Sequence, residues 1–136
     1  MEVFFYGLFM DQSILKKNDI HPSNPRKGVI NNYTLTIGNR ASLIPCKNER
    51  AYGIVMSVDK DAIQKLYAEP SVEDYIPEEV TITIDSNKTV TAICYNLPKT
   101  LITGTNKAYA QSLFELAKKE GFPDDYLRKI AKAAKA

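Results

Sequence analysis

With one histidine, two cysteines, six glycines and no tryptophan among 136 residues, whole classes of chemistry lack their residues. His21 precedes Pro22 in a turn-rich stretch, so a Ser-His-Asp triad would have to borrow a loop histidine. No serine carries the flanking glycines of a nucleophile elbow. A lone histidine and two isolated cysteines make no spaced zinc cluster, and no glycine-rich phosphate loop is present. Two cysteines are too few for a disulfide framework, and Cys94 lies in an apolar run where a buried thiol is ordinary. A reducing cytoplasm is therefore the expected compartment, and no metal or cofactor is expected.

Charge of one sign is equally scarce. Eighteen Lys and Arg against sixteen Asp and Glu give a formal net charge of +2, which makes no electrostatic case for a nucleic-acid partner. The basic C-terminal stretch "LRKIAKAAKA" alternates with alanine and reads as the solvated face of a terminal helix in preference to a nucleic-acid arm. Long hydrophobic runs are missing too. "VFFYGLFM" is too short for a membrane span or a complete signal peptide, and Glu2 stands where a basic n-region would begin, so no membrane association is expected. The length suits one domain, residues 1–136, with a real core.

What is present is rich in β-branched and aromatic residues. Residues 2–6 read as a strand ending at Gly7, Asp11–Lys17 as a short helical turn, and "NDIHPSNPRKG" as a surface loop. Val29–Ile37 reads as a half-buried strand, with Tyr33, Leu35 and Ile37 on one face. "ASLIP" and "AYGIVMSV" suggest a hairpin turned by "CKNER", with Gly53 at a bulge or close backbone approach. Asp59 is the expected N-cap of a helix whose stripe is Ile63, Leu66 and Tyr67 and which Pro70 stops. "EEVTITID" and "KTVTAICYNL" form a second hairpin through "SNK". "KAYAQSLFELAKKEG" is a helix ending near Gly121, and Pro123 opens a last short one. Many short antiparallel strands in a small α+β chain suit a sheet that curls or closes into a barrel.

Among the acids of "KLYAEPSVEDYIPEE", Glu69 stands apart, because it follows an apolar helical stripe and precedes a proline. A carboxylate held at a helix C-terminus and partly desolvated has its pKa raised, which makes a proton shuttle near neutral pH. The competing reading is an ordinary surface glutamate.

Five blocks in order, "FYGLFM", "GNRASLIP", "AYGIVMSV", "LYAEPSVEDYIPEEV" and "AICYNLP", together with "NKAYAQSLFELAKKEGFPDDYL", resemble the gamma-glutamylcyclotransferase-like family, and more narrowly a small, poorly characterised branch of it. The resemblance implies a small mixed β-barrel flanked by helices with a pocket at one end. It implies a substrate-binding loop at Tyr6, Gly7, Leu8 and Phe9, whose backbone amides face the ligand, and Glu69 as the acid/base. Such a loop needs no polar side chains, which would explain why "FYGLFM" stays apolar past the strand; a hydrophobic turn buried for packing alone is the other reading. Tyr75 and Tyr95 are assigned either to the pocket lining or to the core with their hydroxyls satisfied.

The implied reaction is intramolecular. The α-amine of a γ-glutamyl compound attacks its own side-chain amide, releasing an amine and 5-oxoproline without a cofactor. The implied partner is a small molecule bearing a γ-glutamyl or similar carboxylate group. Three departures stand against this: Leu8 where the family usually has Ser, Pro70 where many active members have Gly, and a helix-to-Glu spacing about one residue short. The alternative is a non-catalytic domain on the same fold that binds a small carboxylate, or an interaction domain using the aromatic surface near "EDYIPEE". Oligomeric state is not legible.

Overall fold

Val3, Phe4 and Phe5 are buried on both faces, which marks the first strand, β1 (Glu2–Phe5), as the inner stave of a closed sheet. A computed structural model describes residues 1–135 of the chain. The remaining strands are β2 (Ser23–Ile37), β3 (Ala41–Ser57), β4 (Ile76–Ile84) and β5 (Thr89–Asn96). They close into a barrel in the order β1-β3-β2-β4-β5. All neighbours are antiparallel except β1 and β5, which meet in parallel at Val3 and Ile93. Four α-helices accompany the barrel among the described residues: α1 (Gln12–Lys17), α2 (Lys60–Leu66), α3 (Lys107–Lys119) and α4 (Asp124–Lys135). None is long and apolar enough to cross a membrane.

Two sequence expectations need correcting. The expected loop "NDIHPSNPRKG" is strand from Ser23 onward: Ser23 pairs with Ser57 and, after a register shift, Arg26 pairs with Val55. Pro25 is tolerated because it falls inside that shift, where the ladder needs no N–H, and Asn24 takes a φ of 52° beside it. The expected hairpin through "CKNER" does not form either. β3 runs through it, and both of its halves pair with β2. Pro45 pairs with Tyr33 and Arg50 with Asn31, so Cys46, Lys47, Asn48 and Glu49 bulge opposite Asn32. Asn32 and Asn48 both take positive φ, and the Asn32 side chain accepts from the Asn48 N–H at 3.2 Å. Two asparagines thus absorb an irregularity that the sequence suggests is a turn.

Other expectations hold. β4 and β5 form the second hairpin, from Ile76 opposite Asn96 to Thr83 opposite Thr89. Asp59 caps α2 by accepting from the Ala62 N–H at 3.1 Å. Gly121 takes a φ of 78° just past α3, and the Phe122 N–H returns to the Ala117 carbonyl at 3.1 Å. That turn aims Phe122 and Tyr126 at Tyr52 of β3, with centroids 5.8 and 4.9 Å away, which docks α3 and α4 on the barrel.

Gly53 sits at the close approach its position suggests. A Cβ there would run into the Phe5 carbonyl oxygen and stand 2.7 Å from the Phe4 ring. Gly53→Ala is expected to lower stability by about 1–3 kcal/mol through overpacking. The check is a fall in the urea midpoint at unchanged m-value; an unchanged midpoint would mean that β1 and the Phe4 ring yield freely.

Candidate functional site

Tyr6 leaves β1 with its ring buried and its hydroxyl donating to the Tyr95 carbonyl of β5 at 2.7 Å. Gly7 follows, then a single 3-10 turn, Leu8–Met10, closed by Met10 N–H to the Gly7 carbonyl and Asp11 N–H to the Leu8 carbonyl, each 3.0 Å. Asp11 then caps α1 through the Ser13 N–H at 2.9 Å. Met10 is buried, and Leu8 and Phe9 pack against the core. The backbone at Gly7 is ordinary extended chain, yet a side chain there would displace its neighbour, because a Cβ would strike the Tyr109 hydroxyl of α3.

The loop borders a cavity of about 290 Å³ at one end of the barrel. All six binding residues expected from the sequence, Tyr6, Gly7, Leu8, Phe9, Tyr75 and Tyr95, line it. The walls are largely aromatic. Phe5 meets Phe9 edge-on at 6.4 Å, Phe9 meets Tyr67 edge-on at 6.1 Å, and Tyr67 lies flat on Tyr95 at 3.8 Å with an interplanar angle of 5°.

Glu69 does not border this cavity, which corrects the expectation of a desolvated carboxylate aimed at the loop. It is exposed and faces a separate depression with Lys17, His21, Asp59 and Lys65. The cause is local. α2 ends at Leu66, Tyr67 is its C-cap, and tight bonds from the Ala68 and Glu69 N–H groups to the Lys65 and Leu66 carbonyls, 3.3 and 3.2 Å, wrap the chain around the end. Tyr67 takes the inward place, Glu69 goes out, and the chain returns to the wall at Ser71 and Val72.

Arg40 is the residue that sequence reasoning missed. It stands between β2 and β3, in the block "GNRASLIP", and is the one charged side chain lining the cavity among the described residues. The available signal was a lone cation placed directly before a buried stretch, Ala41 to Leu43. Its guanidinium lies 5.8 Å from the centroid of the Tyr75 ring and its Nη1 donates to the Asp74 carboxylate at 3.2 Å. Tyr75 donates its hydroxyl to the Ala41 carbonyl at 2.6 Å, so residues 74 and 75 clamp residues 40 and 41. With side chains 32% and 48% exposed, the Arg40–Asp74 pair is worth at most about 1 kcal/mol, and a better-placed anion can compete for the arginine.

Burial pushes the phenols of Tyr6 and Tyr67 well above their ordinary range and raises Tyr75 and Tyr95 as well. Tyr109 is pushed up to about 12 by burial, with the Leu8 backbone N–H acting in the opposite direction. The wall therefore offers neutral phenols and one fixed positive charge at neutral pH. No carboxylate or imidazole lines it among the described residues. Nor do three or more His, Cys, Asp or Glu side chains gather anywhere among them in a group that could hold a metal ion.

Residues 50–130 match the model of the AIG2-like family. The chain belongs to the AIG2-like family. Solved structures share its fold at low identity. A structure titled gamma-glutamyl cyclotransferase superposes with a TM-score of 0.76 at 17% identity, covering 96% of this chain and 86% of that one. The yeast gamma-glutamyl cyclotransferase described as specific to glutathione gives 0.71 at 11% identity, covering 99% and 95%. YkqA from Bacillus subtilis gives 0.79 at 16% identity, covering all of this chain and 54% of its own. No curated protein sequence matches the chain.

The contact between Gly7 and Tyr109 can be tested as a pair. Gly7→Ala alone is expected to destabilise the AIG2-like barrel by about 1–3 kcal/mol, since the phenol must move. Tyr109→Phe removes the obstructing oxygen and leaves the new methyl 3.8 Å from the ring, an ordinary contact. The double variant is thus expected to regain most of the loss, and additive costs in a double-mutant cycle would count against the contact.

The phenols also fix an alkaline limit. In the unfolded chain Tyr109 releases its proton near 10, and in the folded chain near 12, so between these values the folded state holds more protons. Stability from this group is fully present below pH 10 and falls as the pH rises through 12. Melting temperatures over that range are expected to fall less steeply in Tyr109→Phe than in wild type.

Proposed function

We propose that this AIG2-like chain binds a small carboxylate-bearing molecule in the tyrosine-lined cavity, with Arg40 as the partner of the anion and Glu69 outside the chemistry. The observation that carries this reading is the composition of the wall: one arginine, five tyrosines and no acid among the described residues. A planar guanidinium matches a carboxylate through paired N–H donors, and a half-buried arginine is stabilised most by such a partner. The hydroxyls of Tyr67, Tyr95 and Tyr109 supply further donors, and the amides of the Gly7–Phe9 loop stand at the same cavity.

One observation favours turnover as a second reading, namely the fold shared with a structure titled gamma-glutamyl cyclotransferase. On that reading a γ-glutamyl amide is cleaved to 5-oxoproline without a cofactor. Glu69 would take a proton from the attacking ammonium and return one to the leaving nitrogen, after the turn at residues 67–71 swings it inward.

Titration calorimetry with a panel of small monocarboxylates and γ-glutamyl amides, with an assay for released 5-oxoproline, separates the two. Binding is expected to weaken by about tenfold or more in Arg40→Gln, to be unchanged in Glu69→Gln, and to proceed without product. Release of 5-oxoproline that Glu69→Gln abolishes would establish the second reading. If no carboxylate binds, neither reading stands.

A further inference from the structure

We infer that the cavity selects a monocarboxylate with an apolar, aromatic body and rejects ligands that carry a free ammonium, the γ-glutamyl amino acids included. This rests on the carboxylate-binding reading above and narrows it to a ligand class.

Three observations lead there. The first is charge. An α-ammonium brought into the cavity meets Arg40 as a like charge and finds no carboxylate in the wall among the described residues. The nearby acids are accounted for: Asp74 is bound to Arg40, and Glu69 faces the separate depression. Of the aromatic rings that can hold a cation, that of Tyr75 already lies beneath the Arg40 guanidinium, and the others stand in a wall whose one charged side chain among the described residues is positive.

The second observation is the supply of hydrogen-bond partners. Tyr6 and Tyr75 have committed their hydroxyls to the carbonyls of Tyr95 and Ala41. The donors that remain, Arg40 and the hydroxyls of Tyr67, Tyr95 and Tyr109, suit one anion; phenol oxygens also accept, so it is the like charge of Arg40, and not the hydrogen bonding, that sets an ammonium at a disadvantage. The third is shape. The edge-to-face run of Phe5, Phe9 and Tyr67, ending on the flat Tyr67–Tyr95 stack, is a continuous aromatic wall away from the arginine. Its volume of about 290 Å³ is roughly twice that of a cavity known to hold one benzene, which leaves room for a ring, a short linker and a carboxylate.

Asp74 supplies the sharpest test because the alternatives move it in opposite directions. If it only competes for Arg40, removing its charge frees the guanidinium and tightens carboxylate binding. If it is the receptor for a ligand's ammonium, removing its charge weakens binding. Asp74 is exposed, so Asp74→Asn leaves the core untouched.

The experiment is calorimetry on the full-length protein with four probes of one skeleton: 3-phenylpropionate, its amide, 3-phenylpropylammonium and phenylalanine. The expected result is binding of 3-phenylpropionate, with each of the other three weaker by about tenfold or more, and a severalfold gain for 3-phenylpropionate in Asp74→Asn. Phenylalanine, the ammonium or a γ-glutamyl amino acid binding as tightly as 3-phenylpropionate would overturn the inference, as would weaker binding of 3-phenylpropionate in Asp74→Asn. Arg40-dependent binding of aliphatic carboxylates with no binding of 3-phenylpropionate would overturn the aromatic selection and leave the carboxylate reading intact. Failure of every carboxylate in the wild-type protein would remove both.

Discussion

The barrel closes where its first and last strands meet, and that seam is the constraint on which the site depends. β1 and β5 run parallel and share one register pair, Val3 with Ile93, so the backbone ladder alone ties them weakly. The Tyr6 hydroxyl, bound to the Tyr95 carbonyl at 2.7 Å inside the protein, adds a second tie just beyond the end of β1. A buried carbonyl without a partner is costly, so this bond holds the chain to one exit direction from the strand. Gly7 and the turn after it are thereby laid across the barrel end, and the cavity exists because they bridge it.

That geometry explains why much of the site was legible from the sequence. Tyr6, Gly7, Leu8 and Phe9 are consecutive, so any path that places one at the barrel end places the others nearby. Tyr95 lies at the open end of the β4–β5 hairpin, where Ile76 pairs with Asn96 and Pro77 with Tyr95, and Tyr75 directly precedes β4 there. Strand alternation and hairpin register are short-range properties, and they survive folding well. The two misread segments failed for the opposite reason. "NPR" and "CKNER" carry every local sign of a turn, yet β2 and β3 pair through them, because positive φ at Asn24, Asn32 and Asn48 lets the ribbon absorb the irregular residues. Long-range pairing overrode local chemistry there.

Arg40 was illegible for a related reason. Its partners, Asp74 and Tyr75, lie 34 and 35 positions away in sequence, and nothing local marks an arginine in a turn as facing inward. The clamp through the Ala41 carbonyl and the Asp74 carboxylate forms only when the start of β4 is laid against the start of β3 at the barrel end. A contact of this kind belongs to the topology and not to either segment.

The fate of Glu69 follows from where α2 ends. The helix stops at Leu66 with Tyr67 as its C-cap, and the turn that follows sends Tyr67 to the cavity wall and Glu69 to the separate depression. The electrostatic consequence is larger than the loss of one acid. An inward carboxylate would neutralise Arg40 and leave a polar cavity of little net charge, suited to a zwitterion. With a neutral phenol there instead, and the other phenols also held protonated by burial, Arg40 is the one charged side chain in the wall among the described residues, with the exposed Asp74 as its partner outside it. Which side chain the turn after α2 sends inward thus decides the charge that borders the cavity.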